Sequence, residues 1–326
     1  MLKPVVFISA RISKQALELL QQHCTVRLNE AKHPLSVSEL SEAVGGAEGL
    51  LCSFRDPLNS EFMEKASHLK VISSFSAGYD NIDVETATKF GIAVTNTSKA
   101  VMDATADLTW GLLIAVARRI VEGDKYVRKE QRGQTEPPGV MKGSDIFGKT
   151  LGIIGMGHIG QAVARRAKGF EMPILYYRRH RLDSSLKKEL NGKYTTLRGL
   201  LENSDFVSLH VPLSKSTKYL ISEKELKMMK DTAFLINTSR GPVINEKDLV
   251  RALQEKWVAG AALDVYEYEP SITKGLTSLE NVVVTPHIGG LTPQTLRNMS
   301  LLAAQNLLDV VSGQHSPNIV NPEVFK

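Results

Sequence analysis

Three ionisable residues of this 326-residue chain stand where buried strands are expected to end: Arg240, Asp264 and His287. Each follows or closes a short apolar run, which predicts a position at the carboxyl end of a strand. An arginine there can bind a carboxylate bidentately and polarise a neighbouring carbonyl. A histidine titrates near neutral pH and can donate or accept a proton. With a hydride-carrying cofactor, these groups suit the reduction of a 2-keto acid.

Each residue alone has a simpler interpretation. Arg240 could form a surface salt bridge, and a single histidine such as His287 is often structural. Glu267 and Glu269 lie in a loop that ends at Pro270, where acidic side chains are often merely solvated. The combination is the stronger signal, because 2-keto acid reduction needs a cofactor, a carboxylate anchor and a proton donor.

Three glycines predict the cofactor. Gly155, Gly157 and Gly160 have GxGxxG spacing after an expected strand and at the start of an expected helix. The first glycine permits a tight turn, the second lets the backbone approach a pyrophosphate, and the third lets helix and strand pack closely. The helix N-terminus offers free N–H groups to the anion. We therefore predict a dinucleotide site.

A basic run stands where this fingerprint usually has an acid. An Asp or Glu about 20 residues on would accept hydrogen bonds from the adenosine ribose, but the chain has Arg178 there, followed by Arg179 and Arg181. Arginine can instead hold a 2′-phosphate. We predict that Arg178, helped by Arg179 or Arg181, selects NADPH; the alternative is a solvated basic surface at a helix start.

The order of expected elements predicts the fold class. Short β-branched runs alternate with helical patterns in two series, which indicates βαβ units and an α/β fold with two doubly wound parallel-sheet domains. Between the series, residues 103–130 keep helical spacing and a loop follows over 132–145. The last helix comes after the second sheet is complete, so it is expected to pack on the first domain.

Composition limits the classes of function. The formal net charge is +5 without a block of like charge, which favours acidic small molecules over nucleic acid. Cys24 and Cys52 have neither disulfide nor zinc-site spacing, and we predict no metal. We see no apolar run of about 18 residues that would span a bilayer. We expect a cytoplasmic protein that binds neither membranes nor nucleic acid.

Seven segments of the chain form a recognisable set: SAGYDNID, DATADLTWGLLIAVARRI, GKTLGIIGMGHIGQAVA, LHVPLSKST, INTSRGPVINEKDLVRAL, ALDVYEYEP and TPHIGG. By their order and spacing they resemble the D-isomer-specific 2-hydroxyacid dehydrogenase family over essentially the whole chain. Within it, the segments GFEMPILYYRRHR and NIVNPEVF are most similar to glyoxylate and hydroxypyruvate reductases that also reduce 2-ketogluconate.

The resemblance implies site residues and architecture. Arg240, Glu269 and His287 would be catalytic, with Glu269 favouring the protonated form of His287. Backbone N–H groups at Ala77 and Gly78 would join Arg240 and His287 in binding the substrate. The family has a Rossmann-type cofactor domain, here 101–291, and a smaller, discontinuous flavodoxin-like substrate domain, here 1–100 and 292–326. It forms dimers through the helix that follows DATAD.

The resemblance also implies how the cofactor is held. His158 and Ile159 would lie at the pyrophosphate, Val211 and Pro212 beside the adenosine, and Thr238 near the nicotinamide. The full predicted set is Thr105, Gly155, Gly157, His158, Ile159, Gly160, Arg178, Arg179, Val211, Pro212, Thr238, Ser239, Arg240, Asp264, His287 and Gly290.

We predict an NADPH-preferring reductase of glyoxylate, hydroxypyruvate or 2-ketogluconate that forms a homodimer, with NADH as a second cofactor. Two departures from the family bear on substrate choice: Gly290 and Leu291 follow TPHIG, and RGQTEPPG has no tryptophan. Two alternatives stay open, a phosphoglycerate dehydrogenase and a dinucleotide-sensing protein similar to the corepressors that share this fold.

Overall fold

The computed structural model describes residues 2–31, 33–128, 141–179 and 181–325. The chain divides into two compact units: unit 1 comprises Met1–Val101 and Leu291–Lys326, and unit 2 comprises Met102–Gly290. Both boundaries lie one residue from the predicted ones, and each adds a residue to unit 1.

Unit 1 is a five-stranded parallel sheet with helices on both faces. Its strand order, β2-β1-β3-β4-β5, is that of flavodoxin-like folds. The helices α1 and α12 cover one face with an apolar cluster, and α2, α3 and α4 cover the other. The elements are β1 (Val5–Ile8), α1 (Lys14–His23), β2 (Thr25–Leu28), α2 (Val37–Ala43), β3 (Gly49–Cys52), α3 (Ser60–Lys65), β4 (Val71–Ser74), α4 (Val84–Lys89), β5 (Ala93–Thr95) and α12 (Pro293–Val311).

Local sequence sets where the unit 1 helices begin. Ser13, Ser36, Asn59 and Asp83 each accept a backbone N–H from the first turn of the helix that follows, which satisfies donors that have no partner inside a helix. The expected return of the last helix is observed, since α12 packs on β3 and β4.

Unit 2 is a seven-stranded parallel sheet of order β12-β11-β10-β9-β6-β7-β8. This is the Rossmann order with one added strand, and the predicted α/β class is confirmed. The helix α5 (Ser98–Ala117) begins in unit 1 and continues in unit 2. The other elements of unit 2 are α6 (Ile120–Arg128), β6 (Leu151–Ile154), α7 (His158–Ala167), β7 (Ile174–Tyr177), α8 (Ser184–Leu190), β8 (Gly192–Tyr194), α9 (Leu197–Asn203), β9 (Phe206–Leu209), α10 (Glu223–Leu226), β10 (Phe234–Asn237), α11 (Glu246–Gln254), β11 (Gly260–Leu263) and β12 (Val282–Val284).

The segment predicted as helical over 103–130 is two helices within the described residues. The helix α5 starts earlier, at Ser98, and ends at Ala117, and α6 begins at Ile120. Arg119 between them has a φ of 55°, a left-handed conformation that interrupts a helix. The N–H of Ser144 donates to the carbonyl of Ala117. The Ala117 carbonyl, which the break leaves without its helical partner, is therefore hydrogen-bonded.

The predicted loop after α6 falls mainly outside the described residues. Positions 132–140, which include the segment without tryptophan, are not described, and residues 141–145 form neither helix nor strand.

Among the described helices, α5 is long and apolar enough to cross a membrane, by length and composition only. This differs from our prediction that the chain has no stretch of that kind. Half of this stretch is buried inside the protein. Ala106, Trp110 and Leu113 of α5 belong to the apolar core of unit 2, which accounts for its composition.

Candidate active site

The carboxyl ends of β10, β11 and β12 form the edge that carries the candidate catalytic residues. These strands are parallel neighbours in the sheet of unit 2, so their ends meet at one edge. Arg240 follows β10, Asp264 directly follows β11, and His287 follows β12. The positions predicted at strand ends are therefore at the same edge in the structure.

His287 and Glu269 form a hydrogen-bonded pair. Nδ1 of His287 lies 2.8 Å from Oε2 of Glu269, and Oε1 of Glu269 accepts the N–H of Tyr266 at 2.9 Å. Burial raises the pKa of the Glu269 carboxyl, but the hydrogen bonds from His287 and Tyr266 and the charge of Arg240 outweigh burial, so this pKa lies below its ordinary value. The carboxylate is thus ionised at neutral pH and orients the imidazole, with Nε2 on the opposite side of the ring.

A buried carboxylate holds the loop that carries His287. Oδ1 of Asp264 accepts the hydroxyl of Thr285 at 2.6 Å and the N–H of Ile288 at 2.8 Å, and Oδ2 accepts the N–H of Gly289 at 2.8 Å. His287 between these anchors has a φ of 57°, which is unfavourable for a residue with a side chain. Asp264 therefore stabilises the backbone conformation from which the imidazole projects.

Arg240 is placed by the asparagine that ends β10. Nδ2 of Asn237 donates to the carbonyl of Arg240 at 2.9 Å, and Oδ1 accepts the N–H and the hydroxyl of Ser239. The guanidinium donates to the carbonyl of Ser239 at 2.8 Å. Since the charge of Arg240 lowers the pKa of Glu269, the cation and the His287–Glu269 pair act on one another.

The glycine-rich loop has the geometry that a pyrophosphate needs. Gly155 has a φ of 97°, and a Cβ there would lie 2.5 Å from the carbonyl oxygen of His210. A Cβ on Gly160 would lie 2.1 Å from the carbonyl oxygen of Gly155. Gly157 is the N-cap of α7 and is exposed, so the first N–H groups of a ten-residue helix face an open cradle. These features fit an anionic dinucleotide.

The three arginines after β7 point in different directions. Arg178 donates to the carbonyl of Met156 in the glycine-rich loop at 3.3 Å. Arg179 donates to Ser216 in the loop after β9, and Arg181 lies over the ring of Tyr194 at 4.9 Å. The first two guanidinium groups thus remain beside the strand end where the ribose is expected, whereas Arg181 is turned away to β8.

Several other predicted cofactor residues of unit 2 lie along the carboxyl edge. Thr238 shares a 2.9 Å hydrogen bond with Thr109, and the hydroxyl of Thr105 donates to the carbonyl of Gly289 at 3.4 Å. Val211 and Pro212 follow β9, His158 and Ile159 open α7, and Gly290 follows Gly289.

The two predicted substrate-loop residues belong to unit 1. Ala77 and Gly78 follow β4 and are half-buried. The side chain of Asn96 donates to the carbonyl of Ala77 at 3.0 Å, and the N–H of Thr97 donates to the carbonyl of Ser76 at 2.9 Å. The loop is therefore tied to the chain that follows β5.

Sequence reasoning did not single out four polar residues that shape the site: Asn237, His210, Glu246 and Thr285. Asn237 and His210 end or follow apolar strands, so the strand-end pattern that identified Asp264 could also have found them. Thr285 directly follows β12 and could have been found in the same way, whereas Glu246 gives no comparable signal, because its role depends on contacts between loops.

Comparisons with known proteins identify the family that this chain matches. Residues 110–289 match the family model for the D-isomer specific 2-hydroxyacid dehydrogenase, NAD binding domain. A glyoxylate reductase of Korarchaeum cryptofilum is 45% identical over 326 residues, which is all of this chain and 98% of that protein.

Two solved structures are similar over nearly the full length. A glyoxylate reductase from Paecilomyes thermophila has 36% identity and a TM-score of 0.90, covering 99% of each chain. An NADPH-dependent glyoxylate/hydroxypyruvate reductase from Sinorhizobium meliloti, in complex with NADP and malonate, has 29% identity and a TM-score of 0.87, covering 99% of this chain and 98% of the other.

Proposed function

The chain belongs to the D-isomer-specific 2-hydroxyacid dehydrogenase family, and on this premise we propose that it reduces small 2-keto acids to D-2-hydroxy acids with NADPH. Glyoxylate, hydroxypyruvate and 2-ketogluconate are the proposed substrates. The observation that carries the proposal is the His287–Glu269 pair at 2.8 Å, on the same sheet edge as Arg240 and in the same unit as the glycine fingerprint.

The protein's own residues would divide the work as follows. Arg240 holds the substrate carboxylate, which orients the 2-keto group. When bound, the reduced cofactor would supply the hydride that C2 accepts. As the C–O double bond opens, His287 gives its proton to the forming alkoxide, and Glu269 stabilises the imidazolium before transfer. The products are the 2-hydroxy acid and the oxidised cofactor.

The preference for NADPH rests on Arg178 and Arg179. Both lie after β7, where a carboxylate would favour NADH, and both guanidinium groups stay near the strand end. The reductase from Sinorhizobium meliloti, which is described as NADPH-dependent, binds NADP. These points support a 2′-phosphate site at Arg178, with Arg179 as its second donor and NADH as the weaker cofactor.

A side-by-side screen tests the proposal. About six 2-keto acids, including phosphohydroxypyruvate, are assayed with NADPH and NADH, because selectivity is a ratio of kcat/KM values. We expect turnover of glyoxylate or hydroxypyruvate with NADPH, and a loss of about 100-fold or more in His287→Ala. Near-normal kcat in that variant would overturn the mechanism.

The same screen addresses the two alternatives, neither of which the similar proteins favour. Preference for phosphohydroxypyruvate would indicate phosphoglycerate dehydrogenase activity, and tight cofactor binding without turnover would indicate a dinucleotide-sensing role.

We also propose that the protein is a cytoplasmic homodimer that associates through α5, α6 and the segment around Phe147. Ile120, Val127 and Phe147 are large apolar side chains that are about half or more exposed in unit 2, and such side chains often mark an interface. Light scattering at micromolar concentration should give twice the 35.9 kDa chain mass; a value of one chain mass would contradict the dimer.

A further inference from the structure

We propose that Glu246 is a positioning residue for the reduction, acting through Glu267 to fix the loop that carries Glu269 against the loop that carries Arg240. The proposal rests on the function proposed above and deepens it. Glu246 is the first residue of α11 and is 1% exposed. Its carboxylate bonds to the backbone of Glu267, so its effect on the pair of His287 and Glu269 is indirect.

Glu246 and Glu267 exchange a reciprocal pair of hydrogen bonds. The N–H of Glu267 donates to Oε1 of Glu246 at 2.6 Å, and the N–H of Glu246 donates to Oε2 of Glu267 at 3.1 Å. Each carboxylate thus holds the other residue's backbone. The two bonds join the segment that follows β10 to the segment that follows β11. These two segments carry Arg240 and Glu269, respectively.

The same two chains also touch at a second point. A Cβ on Gly241 would lie 1.8 Å from the carbonyl carbon of Tyr266, so the backbones pack closer there than any side chain would permit. The contact between Gly241 and Tyr266 and the bonds between Glu246 and Glu267 restrain both translation and rotation of one loop against the other.

This restraint reaches the acid–base pair through one residue. The N–H of Tyr266 donates to Oε1 of Glu269, and Tyr266 directly precedes Glu267. The position of the Glu269 carboxylate is therefore tied to the backbone that Glu246 holds. Displacement of this backbone would move Glu269 away from Nδ1 of His287.

The energetics of the pair favour a functional role over simple packing. Among the described residues, Oε2 of Glu246 is buried with no hydrogen-bond partner, an unfavourable state that packing alone does not explain. At the start of α11 the helix dipole offsets part of this cost. Burial raises the pKa of Glu267, but hydrogen bonds from Tyr219, Tyr268 and the Glu246 N–H outweigh it, so this carboxylate remains a strong acceptor.

The test compares three substitutions of one residue in the full-length enzyme. Glu246→Ala removes the acceptor for the Glu267 N–H, and Glu246→Asp shortens the side chain that carries this acceptor. Both substitutions should lower kcat for glyoxylate by ~10- to 100-fold, while KM for NADPH should change less than about threefold. Glu246→Gln keeps a carbonyl oxygen for that N–H and should retain kcat within about threefold.

Asp205→Asn is the matched control. Asp205 is also a carboxylate that accepts a backbone N–H, from Thr150 at 2.8 Å, but it lies at the amino ends of β6 and β9. It should lower stability and leave kcat and the pH–rate profile unchanged. In Glu246→Ala the profile should change shape, because Glu269 is no longer held at His287.

The outcomes separate the two proposals. Wild-type protein inactive with every keto acid would overturn the proposed function, and the positioning role with it. Active wild type with normal kcat and pH profile in Glu246→Ala would overturn the positioning role alone. If Glu246→Ala does not fold, normal kcat and a normal pH profile in Glu246→Asp would overturn the positioning role instead. An equal loss of activity in Glu246→Gln and Glu246→Asp would also overturn the positioning role.

Discussion

Nδ1 of His287 lies 2.8 Å from Oε2 of Glu269. The Glu269 carboxylate of this pair is charged at neutral pH, because its pKa is lowered by the hydrogen bonds and charges around it, in spite of burial. An ionised partner favours the imidazolium that donates the proton. The pair therefore links the pH dependence of reduction to one carboxylate.

Glu269→Gln should lower kcat by about 100-fold and change the shape of the pH–rate profile. The amide that replaces the carboxylate gives Nδ1 of His287 a neutral partner instead of a charged one. The measurement is kcat/KM for glyoxylate with NADPH from pH 5 to 9. Glu64→Gln, at an exposed position on α3, should match the wild type, and a superimposable profile for Glu269→Gln would refute the role of the pair.

The glycine-rich loop permits a test that separates stability from cofactor affinity. A Cβ on Gly157 meets no described atom within 4 Å, so Gly157→Ala should fold with wild-type stability yet bind NADPH at least about tenfold more weakly, because the methyl group occupies the pyrophosphate's approach. Gly155→Ala should instead lose ~1–3 kcal/mol of stability, given its φ of 97° and the 2.5 Å approach to His210. Urea unfolding and fluorescence titration measure the two effects; normal NADPH affinity in Gly157→Ala would contradict the assigned cradle.

The divergent arginines after β7 predict unequal effects on cofactor choice. Arg178→Asp and Arg179→Asp should each reduce the NADPH to NADH ratio of kcat/KM, by about 10- to 100-fold for a lost charge-assisted bond. Arg181→Asp is the control, since its guanidinium lies over Tyr194, and it should leave the ratio within about threefold. An unchanged ratio in Arg178→Asp would show that the 2′-phosphate is bound elsewhere.

The fold and half of the site follow from local sequence patterns. Alternating β-branched runs and helical spacing determine parallel sheets, and the GxGxxG spacing identifies the cradle because it depends on backbone needs at three adjacent positions. Arg240, Asp264 and His287 were recognisable for the same reason, since each follows a strand.

The remaining features depend on contacts between distant segments. The helix break at Arg119 is accompanied by a bond from Ser144 to Ala117, which helical periodicity does not encode. The directions of Arg178 and Arg179 are set by Met156 and by a loop after β9. The pairing of Glu246 with Glu267 depends on two loops that meet only in the folded protein. From the sequence alone, neither residue can be distinguished from an exposed, solvated glutamate.

Asp264 offers a second test of how the His287 loop is held. In Asp264→Asn an amide NH2 replaces one carboxylate oxygen, so the N–H groups of Ile288 and Gly289 can no longer both be accepted. We expect kcat to fall by about 10- to 100-fold and stability to fall by ~1–3 kcal/mol. Thr285→Val removes only the hydroxyl donor and should have a smaller effect on both. Equal, small effects in the two variants would show that the loop keeps its conformation without the carboxylate.

His210 predicts a change of stability with pH. Its Nε2 lies 2.8 Å from the hydroxyl of Ser208, and burial lowers its pKa from 6.5 to about 3. Between these values the unfolded chain binds a proton that the folded protein excludes. The free energy of unfolding should therefore fall as pH drops from 6.5 towards 3, by at most about 1.4 kcal/mol per pH unit from this residue. His210→Gln, which cannot titrate, should lose this part of the slope in urea unfolding at pH 7, 6, 5 and 4. His33→Asn, at an exposed position of unit 1, should keep the full slope, so a slope in His210→Gln equal to that of the wild type would show that His210 is protonated in the folded protein.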